Sequence, residues 1–334
     1  MRIAFFADLR TPNSWYRALG PLQALQRLGH EAVPAFDRRG ALSLDPVLGC
    51  DVLLIHRASD RGILDAIAHA KQRGVGVIWD NDDDQTAVPK NNIAASAMRG
   101  MAGATFRRDL SKTLQAVDVV TTPSHGLAER FRELGASDVR VLENYVRDDL
   151  RPTNRWNGGR VVVGWLAGAE HHLDVSLLKI SETCAALLDA HAAVEVVTIG
   201  ARLQIDHPRY RNVRDIRFMD LDRHVAEFDV GIAPIADIPF NRCRSNVKLK
   251  EYAVLGVPWL ASPVGPYLGL GEKQGGELVA DGDWFEALST SVGNSRRRKK
   301  LAKHAGKWGA SQRIGRHVSK WESLFEEVRQ RLAV

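Results

Sequence analysis

Cysteines and long apolar runs are scarce in this sequence of 334 residues. Its three cysteines, Cys50, Cys184 and Cys243, are odd in number and far apart, which excludes a disulfide framework and the paired spacing of a zinc site. We therefore expect a reducing compartment, the cytoplasm. No apolar run approaches the roughly 20 residues that span a bilayer, and residues 1–8 reach an acid too early for a signal peptide.

Several common catalytic motifs are also missing. The turn after the first predicted strand, residues 8–14, has no glycine, so the Gly-x-Gly-x-x-Gly fingerprint of dinucleotide oxidoreductases is absent. The sequence has no Walker-type phosphate loop, no His-Glu-x-x-His and no nucleophile elbow. These absences argue against a dinucleotide oxidoreductase and leave a chain without a redox cofactor motif.

Charge is distributed unevenly, although the net charge is only +6. Ten Lys and Arg residues and no Asp or Glu lie between Arg296 and Lys320, which leaves −4 for the remaining residues. A solvated helix is the simplest interpretation of this run. An anionic membrane surface or a nucleic-acid backbone would also bind it.

Short apolar runs alternate with helical patterns along the whole chain, which predicts an α/β fold with parallel sheets. Residues 151–159 are rich in turn formers and have no periodicity, so we interpret them as a linker between two similar halves with a crevice between them. Among the predicted helices are residues 15–28, 92–115 and 312–332. The predicted strands are residues 3–7, 31–35, 52–56, 75–79, 117–121 and 139–142 in the first half, and 161–166, 195–199, 216–219, 230–233, 259–261 and 277–279 in the second.

The most informative segment is residues 244–267, where a short helix, a Gly-Val-Pro turn and a buried strand precede a second Gly/Pro loop. Ligands bind at the C-terminal ends of parallel strands, so both loops and the start of the helix are expected to border one crevice. Lys248 and Glu251 are three residues apart and share a helix face. The lysine can attract a phosphate and the glutamate can accept sugar hydroxyls. An exposed ion pair is the alternative.

This segment resembles the donor-binding segment of retaining, nucleotide-sugar-dependent glycosyltransferases of the group 1, or family 4-like, type. Their GT-B architecture has two Rossmann-like domains facing each other across a cleft. In that family a Glu before an Ala-rich turn and a Gly-x-Pro grips the donor's ribose, and Glu251 matches it. The family's first Glu, eight positions earlier and near the donor sugar, is Cys243 here. The resemblance implies an acceptor domain at residues 1–153, a donor domain at 158–311, and a last helix at 312–334 that packs back on the first domain.

The resemblance also identifies donor-side residues in the second half. The loop around Gly168 feeds a helix, so its backbone amides can cradle a diphosphate. Relatives place an Arg and a Lys near this loop, where this chain has His171 and His172; a His pair is otherwise ordinary surface capping. Arg244 and Lys248 then neutralise the diphosphate and are our candidate catalytic residues. The remaining donor-side candidates are Gly200 and Arg202 near the nucleotide, Phe218 near the base, and Asn246 and Gly265 in the segment described above.

Polar and aromatic residues after strands of the first half are candidates for the acceptor side. The loop from Asp8 to Arg17 is similar to the corresponding loop of actinobacterial-style relatives. In it, Trp15 and Tyr16 either stack on a sugar or base or staple the helix to the sheet. His56 ends another predicted strand and can line the same side.

Four acids in five positions, residues 80–84, invite a metal interpretation because hard cations prefer several oxygen ligands. The run lacks the calcium-loop pattern, and the same Asp-x-Asp-Asp string occurs at the acceptor side of non-metal relatives. We therefore interpret Asp82 and Asp83 as acceptor-binding or loop-building residues and predict no metal and no cofactor beyond the donor itself.

Together these features predict a retaining, metal-independent glycosyltransferase that moves a sugar from a nucleotide-diphosphate donor to a hydroxyl acceptor. The favoured acceptor is a saccharide, another small molecule or a lipid-linked molecule, and the last would allow peripheral binding to the inner face of a membrane. One alternative is transfer to a nucleic-acid base through residues 296–320. The other is a non-catalytic member of the family that only binds nucleotides or partners.

Overall fold

The computed structural model describes residues 1–37, 40–89, 95, 100–152 and 159–331. The first half contains the strands β1 (Arg2–Phe6), β2 (Glu31–Pro34), β3 (Val52–His56), β4 (Gly76–Asp80), β5 (Val119–Thr122) and β6 (Val139–Val141). Its helices are α1 (Pro12–Ser14), α2 (Gly20–Gln26), α3 (Arg61–Gln72), α4 (Gly100–Ala116) and α5 (His125–Glu133), with a π-helical turn at Trp15–Leu19 between α1 and α2.

The second half contains the strands β7 (Val161–Ala167), β8 (Val194–Gly200), β9 (Tyr210–Val213), β10 (Val230–Ala233), β11 (Trp259–Ala261) and β12 (Gly276–Leu278). Its helices are α6 (His172–Leu177), α7 (Ile180–Ala190), α8 (Leu221–Val225), α9 (Pro239–Arg242), α10 (Val247–Val254), α11 (Trp284–Gly293) and α12 (Ser295–Ser311), and α13 (Val318–Arg331) follows them.

Within the described residues, the strands form two parallel six-stranded sheets, in the orders β2-β1-β3-β4-β5-β6 and β12-β11-β10-β7-β8-β9. Both faces of each sheet are covered. In β3, for example, Val52 and Leu54 belong to the core on one face, and Leu53 and Ile55 to the core on the other. Because both faces are buried, the strands are continuous apolar runs, which is why they could be recognised in the sequence.

Eleven of the twelve predicted strands are present, and the strand predicted at 216–219 is wrong. Phe218–Asp220 form a 3₁₀ turn, and β9 supplies the edge of the sheet instead. This edge strand is only partly apolar: Tyr210 and Val213 pack against the core, and polar groups of the strand make hydrogen bonds. The Tyr210 hydroxyl accepts from the Leu203 amide at 2.8 Å, and Asn212 Nδ2 donates to Thr198 Oγ1 at 2.9 Å. The predicted helix at 92–115 lies partly outside the described residues.

The C-terminal part of the chain returns to the first half. Trp321 and Phe325 of α13 are buried in the same apolar cluster as strand residues of β1 and β3. Before α13, the returning chain bonds to the segment that leaves the first half. The Val146 amide donates to the Gln312 carbonyl at 3.0 Å, and the Ile314 amide donates to the Val146 carbonyl at 2.9 Å. No helix in the described part of the chain is long and apolar enough to cross a membrane.

Candidate functional site

A cavity of about 290 Å³ lies between the two halves. Its walls come from residues that follow the C-terminal ends of parallel strands in both sheets, where ligands of α/β proteins bind. The first half contributes Tyr16, Arg57, Asp82 and Asp83 among others, and the second half contributes Glu170, Arg244, Lys248 and Tyr267. The cavity is therefore a charged cleft with cations and carboxylates on both walls.

Helix α10 directs Lys248 into the cleft, while Glu251 lines a smaller space that shares Tyr16 with the cleft. The Lys248 ammonium donates to the Leu166 carbonyl at the end of β7. Burial lowers the pKa of Lys248. Glu251 accepts a hydrogen bond from the Tyr16 hydroxyl, which belongs to the first half. Each side chain thus has a partner other than its neighbour on the helix, so the exposed ion pair that the spacing also allows is not formed.

Arg244 lies just before α10 and is paired on one side only. Its Nη2 donates to Glu170 Oε1 at 2.8 Å, while its Nη1 is buried and has no partner among the described residues. Burial alone would raise the pKa of Glu170, but the charge of Arg244 outweighs it and holds that pKa well below its ordinary value. Buried donors are normally satisfied in folded proteins. The unpaired Nη1 therefore suits an anion or another acceptor that enters the cleft.

His171 is fixed by a buried carboxylate. Its Nδ1 lies 2.8 Å from Asp174 Oδ2, while Asp174 Oδ1 accepts from the Ala236 amide at 2.9 Å and from Asn241 Nδ2 at 2.7 Å. Burial lowers the pKa of His171 despite the opposing effect of Asp174. His171 Nε2 is buried and has no partner among the described residues. His172, the other residue of the pair, is exposed.

Two glycines of the predicted donor side lie close to neighbouring groups, and only Gly200 is constrained by the backbone. Gly200 has φ +95°, and a Cβ there would lie 2.1 Å from the Ala167 carbonyl oxygen. A Cβ on Gly168 would lie 2.0 Å from Glu170 Oε2, so this glycine makes room for the carboxylate in the cleft. Arg202 is exposed at the loop after β8.

A second cavity, of about 680 Å³, also lies between the halves. Asn246 and Gly265 line it, together with residues from the start of α5. The structure therefore separates these two donor-side candidates from Arg244 and Lys248, which line the charged cleft.

Three aromatic rings from both halves pack together beside Glu251. The ring centroid of Phe218 lies 5.4 Å from that of Tyr16 and 5.6 Å from that of Trp15. Tyr16, Phe218 and Glu251 enclose a space of only about 30 Å³. Trp15 and Tyr16, predicted for the acceptor side, thus contact the residues predicted to hold the donor's nucleoside.

A buried ion pair anchors the π-helical turn that carries Tyr16. The next residue, Arg17, is fully buried and lies 2.6 Å from Asp80 Oδ2, and Asp80 is also fully buried. Arg17 Nη1 donates to Asn144 Oδ1 at 2.9 Å, and Asn144 Nδ2 donates to Ser245 Oγ at 3.1 Å. These bonds anchor the turn that carries Tyr16 in the core of the first half and connect it, through Asn144, to Ser245 just before α10.

The acidic run after β4 is engaged by an arginine. Arg57, with φ +66°, donates from Nε to Asp82 Oδ1 at 2.7 Å and from Nη2 to Asp83 Oδ2 at 2.5 Å. His56 Nε2 lies 3.5 Å from Asp82 Oδ1, and its Nδ1 lies 3.2 Å from Ser14 Oγ. His56 and the half-exposed Asp8 line a further cavity of about 740 Å³ in the first half. In the described part of the chain, no three His, Cys, Asp or Glu side chains are grouped so that they could hold a metal ion.

Sequence reasoning missed Glu170, which lines the cleft although it adjoins His171 in the loop that was singled out. It also left open where Cys243 lies. Cys243 packs in the core cluster of the first half, its carbonyl accepts from Ser124 Oγ at 2.7 Å, and burial raises the pKa of its thiol to about 11. Its thiol is therefore a packing group and not part of the cleft wall.

Part of the basic run forms an exposed stripe on α12, and no residue of α12 lines the cleft; Arg298 of the run is buried, and Arg313, Arg316 and Lys320 follow the helix. Arg296, Lys303 and Lys307 are exposed on one face of the helix, with Lys300 beside them in a 2.6 Å ion pair with Glu272. The opposite face of α12 packs on α10 through buried small and apolar residues, among them Gly309. The stripe therefore presents its charge to the outside of the second half.

Two Rossmann-like halves, with a charged cleft between the C-terminal ends of their parallel sheets, define the GT-B glycosyltransferase fold. Solved glycosyltransferase structures match it over almost the full chain. A sucrose-phosphate synthase from Thermosynechococcus elongatus is 13% identical, covers 98% of this chain and 99% of its own, and superposes with a TM-score of 0.68. Anabaena HepE, solved with UDP and glucose, is 13% identical over 97% of this chain and 100% of its own, with a TM-score of 0.66.

An alpha-glucosyltransferase solved with UDP-glucose and DNA containing an abasic site is 11% identical over 98% of this chain and 99% of its own, with a TM-score of 0.68. No protein-family model and no curated protein matches the sequence. At these identities the structural similarity establishes the fold: the chain is a GT-B protein with two Rossmann-like halves.

Proposed function

We propose that this protein is a retaining, metal-independent glycosyltransferase that moves a sugar from a nucleoside diphosphate to a hydroxyl acceptor. The observation that carries the proposal is the buried Nη1 of Arg244, a cationic donor without a partner, in the same cleft wall as Lys248. A charge-assisted hydrogen bond to a phosphate would satisfy it. Known structures of this fold bind UDP-glucose, and this supports the same donor class here.

In the proposed reaction the bond between the anomeric carbon and the phosphate oxygen breaks, and its electron pair stays on the diphosphate. Arg244 and Lys248 stabilise the charge that develops there, by electrostatics arranged before the reaction. The acceptor oxygen bonds to the anomeric carbon on the same face, and its proton passes to the departing phosphate oxygen. This route needs no protein base and no metal ion.

The donor would occupy the second half, residues 158–311, and the acceptor the first half, residues 1–153. The pairing of Asp82 and Asp83 with Arg57 supports this division. It uses one oxygen of each carboxylate, and the other oxygens on the first wall can accept hydrogen bonds from hydroxyl groups of the acceptor substrate. The residues proposed to act on the donor are therefore on one wall, and those proposed to orient the acceptor are on the other.

The test is calorimetric titration of nucleoside diphosphates, starting with UDP, into wild type, Arg244→Ala and Lys248→Ala. A lost charge-assisted hydrogen bond is worth about 1.5–3 kcal/mol, so each variant should bind about 10- to 150-fold more weakly. Lys307→Ala, which removes an exposed cation on α12, is the matched control and should bind as wild type does. Equal affinity in all four proteins would refute the assignment of Arg244 and Lys248.

A nucleic-acid base as acceptor is a less favoured candidate, supported by the α12 stripe and by the DNA in one structurally similar enzyme. The stripe does not line the cleft that contains Arg244, and this argues against the candidate. Salt-sensitive DNA binding that disappears when the stripe is neutralised would reverse our preference for a saccharide or lipid-linked acceptor.

A further inference from the structure

Glu170 lines the charged cleft, and the buried His171 lies beside it, so that two hydrogen-bond acceptors with unused capacity are side by side. His171 Nε2 is 3.7 Å from Glu170 Oε1. That distance is too long for a direct hydrogen bond, and Nε2 has no partner among the described residues. Two acceptors that face each other at this distance suit a donor group placed between or beside them.

The protonation of His171 follows from Asp174. The carboxylate of Asp174 accepts from the Ala236 amide and from Asn241 Nδ2, and a carboxylate has no hydrogen of its own to donate. His171 Nδ1 must therefore carry the hydrogen that lies between it and Asp174 Oδ2. In the neutral ring, Nε2 then presents a lone pair.

The charges around this pair separate two kinds of ligand group. On the second wall, Arg244 and Lys248 face His171 and Glu170, and the Tyr267 hydroxyl lies beside them. On the first wall, Asp83 interacts electrostatically with both Glu170 and Arg244 across the cleft. Phosphate oxygens suit the two cations, whereas they would be repelled by Glu170 and by the lone pair of His171. Hydroxyl groups suit the carboxylate and the imidazole.

We propose that Glu170 and His171 recognise hydroxyl groups of the transferred sugar and thereby determine donor specificity, with Asp174 as the positioning residue that keeps the lone pair of His171 toward the ligand. This inference rests on the proposed function, since it concerns the sugar part of the same donor. It gives Glu170 Oε1 two tasks: it accepts from Arg244 Nη2, which orients Arg244 toward the phosphates, and its remaining lone pair accepts from the sugar beside His171 Nε2.

The experiment compares two ligands, a nucleoside diphosphate and its sugar conjugate, by calorimetry. UDP and UDP-glucose are the first pair, and the corresponding guanosine and adenosine pairs follow if UDP does not bind. The measured quantity is the ratio of the two dissociation constants. In Glu170→Gln and His171→Asn we expect affinity for the sugar conjugate to fall about tenfold or more relative to the free diphosphate. Glu277→Gln, which alters an exposed ion pair on the surface, should leave the ratio unchanged.

Asp174→Asn provides the sharpest readout. An asparagine amide can donate to Nδ1, so the hydrogen moves to Nε2 and the lone pair toward the ligand is lost. Selectivity for the sugar conjugate should disappear, while the free diphosphate binds as well as in wild type or more tightly, because Nε2–H can now donate to it. If Asp174 has a purely structural role, its substitution should instead weaken the binding of both ligands by the same factor.

Glu170→Asp keeps a carboxylate and should retain part of the selectivity. It replaces Glu170→Gln in the comparison if the glutamine variant folds poorly.

The outcomes separate this inference from the proposed function. If wild type binds none of the nucleoside diphosphates or their sugar conjugates, the proposed function fails and this inference with it. If the diphosphate binds but all variants keep the wild-type ratio, only this inference fails. Equal tightening of both ligands in Glu170→Gln would show that Glu170 merely competes with phosphate for Arg244, which also overturns it.

Discussion

Replacing Tyr16 with phenylalanine should make the protein less stable and, at the same time, a tighter binder of nucleotides. In the structure the Tyr16 hydroxyl donates to Glu251, the residue proposed to grip the ribose. The space beside them, about 30 Å³, is far smaller than the several hundred Å³ of typical ligand pockets. A nucleoside can therefore enter only after this hydrogen bond breaks and the two halves separate locally.

The same bond sets the size of both effects. A hydrogen bond to a charged group contributes about 1.5–3 kcal/mol, so Tyr16→Phe should lower the free energy of unfolding by that amount. Wild type must break the bond when ribose binds, and the variant need not. Its affinity for a nucleoside diphosphate should therefore rise by up to the same free energy, about 10- to 150-fold. Urea unfolding measures the first effect and calorimetric titration the second.

Tyr210→Phe is the matched control for this prediction. The Tyr210 hydroxyl accepts from the Leu203 amide at 2.8 Å and lies 3.0 Å from Thr198 Oγ1, far from Glu251. This variant should lose stability with no change in nucleotide affinity. If Tyr16→Phe instead binds nucleotide more weakly than wild type, then Tyr16 contacts the donor directly and the proposed exchange of partners at Glu251 is wrong.

Three further expectations concern pH, metal and membrane. Burial lowers the pKa of His171, so the unfolded chain binds more protons at this residue than the folded protein does. The neutral imidazole therefore contributes to stability fully above about pH 6.5, and the contribution is lost on acidification below it. The melting temperature of wild type should fall more steeply over that range than that of His171→Asn. Transfer should survive EDTA, because Arg57 already engages Asp82, and activity restored only by Mg²⁺ or Mn²⁺ would contradict this. Binding to anionic vesicles, measured by sedimentation, should lose about 1 kcal/mol of free energy for each neutralised cation among Arg296, Lys303 and Lys307. Binding that does not depend on lipid charge would exclude a membrane role for the stripe.

The fold could be predicted from sequence because its signals are local. A strand that is buried on both faces is a continuous apolar run without polar alternation, and the linker has no such run. The prediction of a strand at 216–219 was wrong because it relied on a largely apolar run. The true edge strand, β9, has polar side chains that make hydrogen bonds, so it is not a continuous apolar run.

The site could be predicted only in part. The three-residue spacing of Lys248 and Glu251 puts both on one helix face, and this is visible without a structure. The partners of the site residues cannot be seen in this way, because they are distant in sequence. Tyr16 lies 235 residues from Glu251, and Glu170 lies 74 residues from Arg244. Such contacts depend on how the two sheets face each other, which no local pattern specifies. For the same reason Trp15 and Tyr16, assigned to the acceptor side, were found against Phe218.

The paired crossing at Val146 and residues 312–314 has a mechanical consequence. The polypeptide passes between the halves twice, and the backbone bonds there join the two passages into one narrow ribbon. Two separate tethers would confine the halves to rotation about the line between them. One ribbon imposes no such axis, so the noncovalent contacts between the halves, such as Ser124 with Cys243 and Tyr16 with Glu251, set how far they can move. The ribbon also makes the molecule tolerant of cleavage. A protease cut after the exposed Arg151 would sever the chain, yet the C-terminal fragment would stay docked through the apolar face of α13, so a nicked protein should still migrate as one particle in gel filtration.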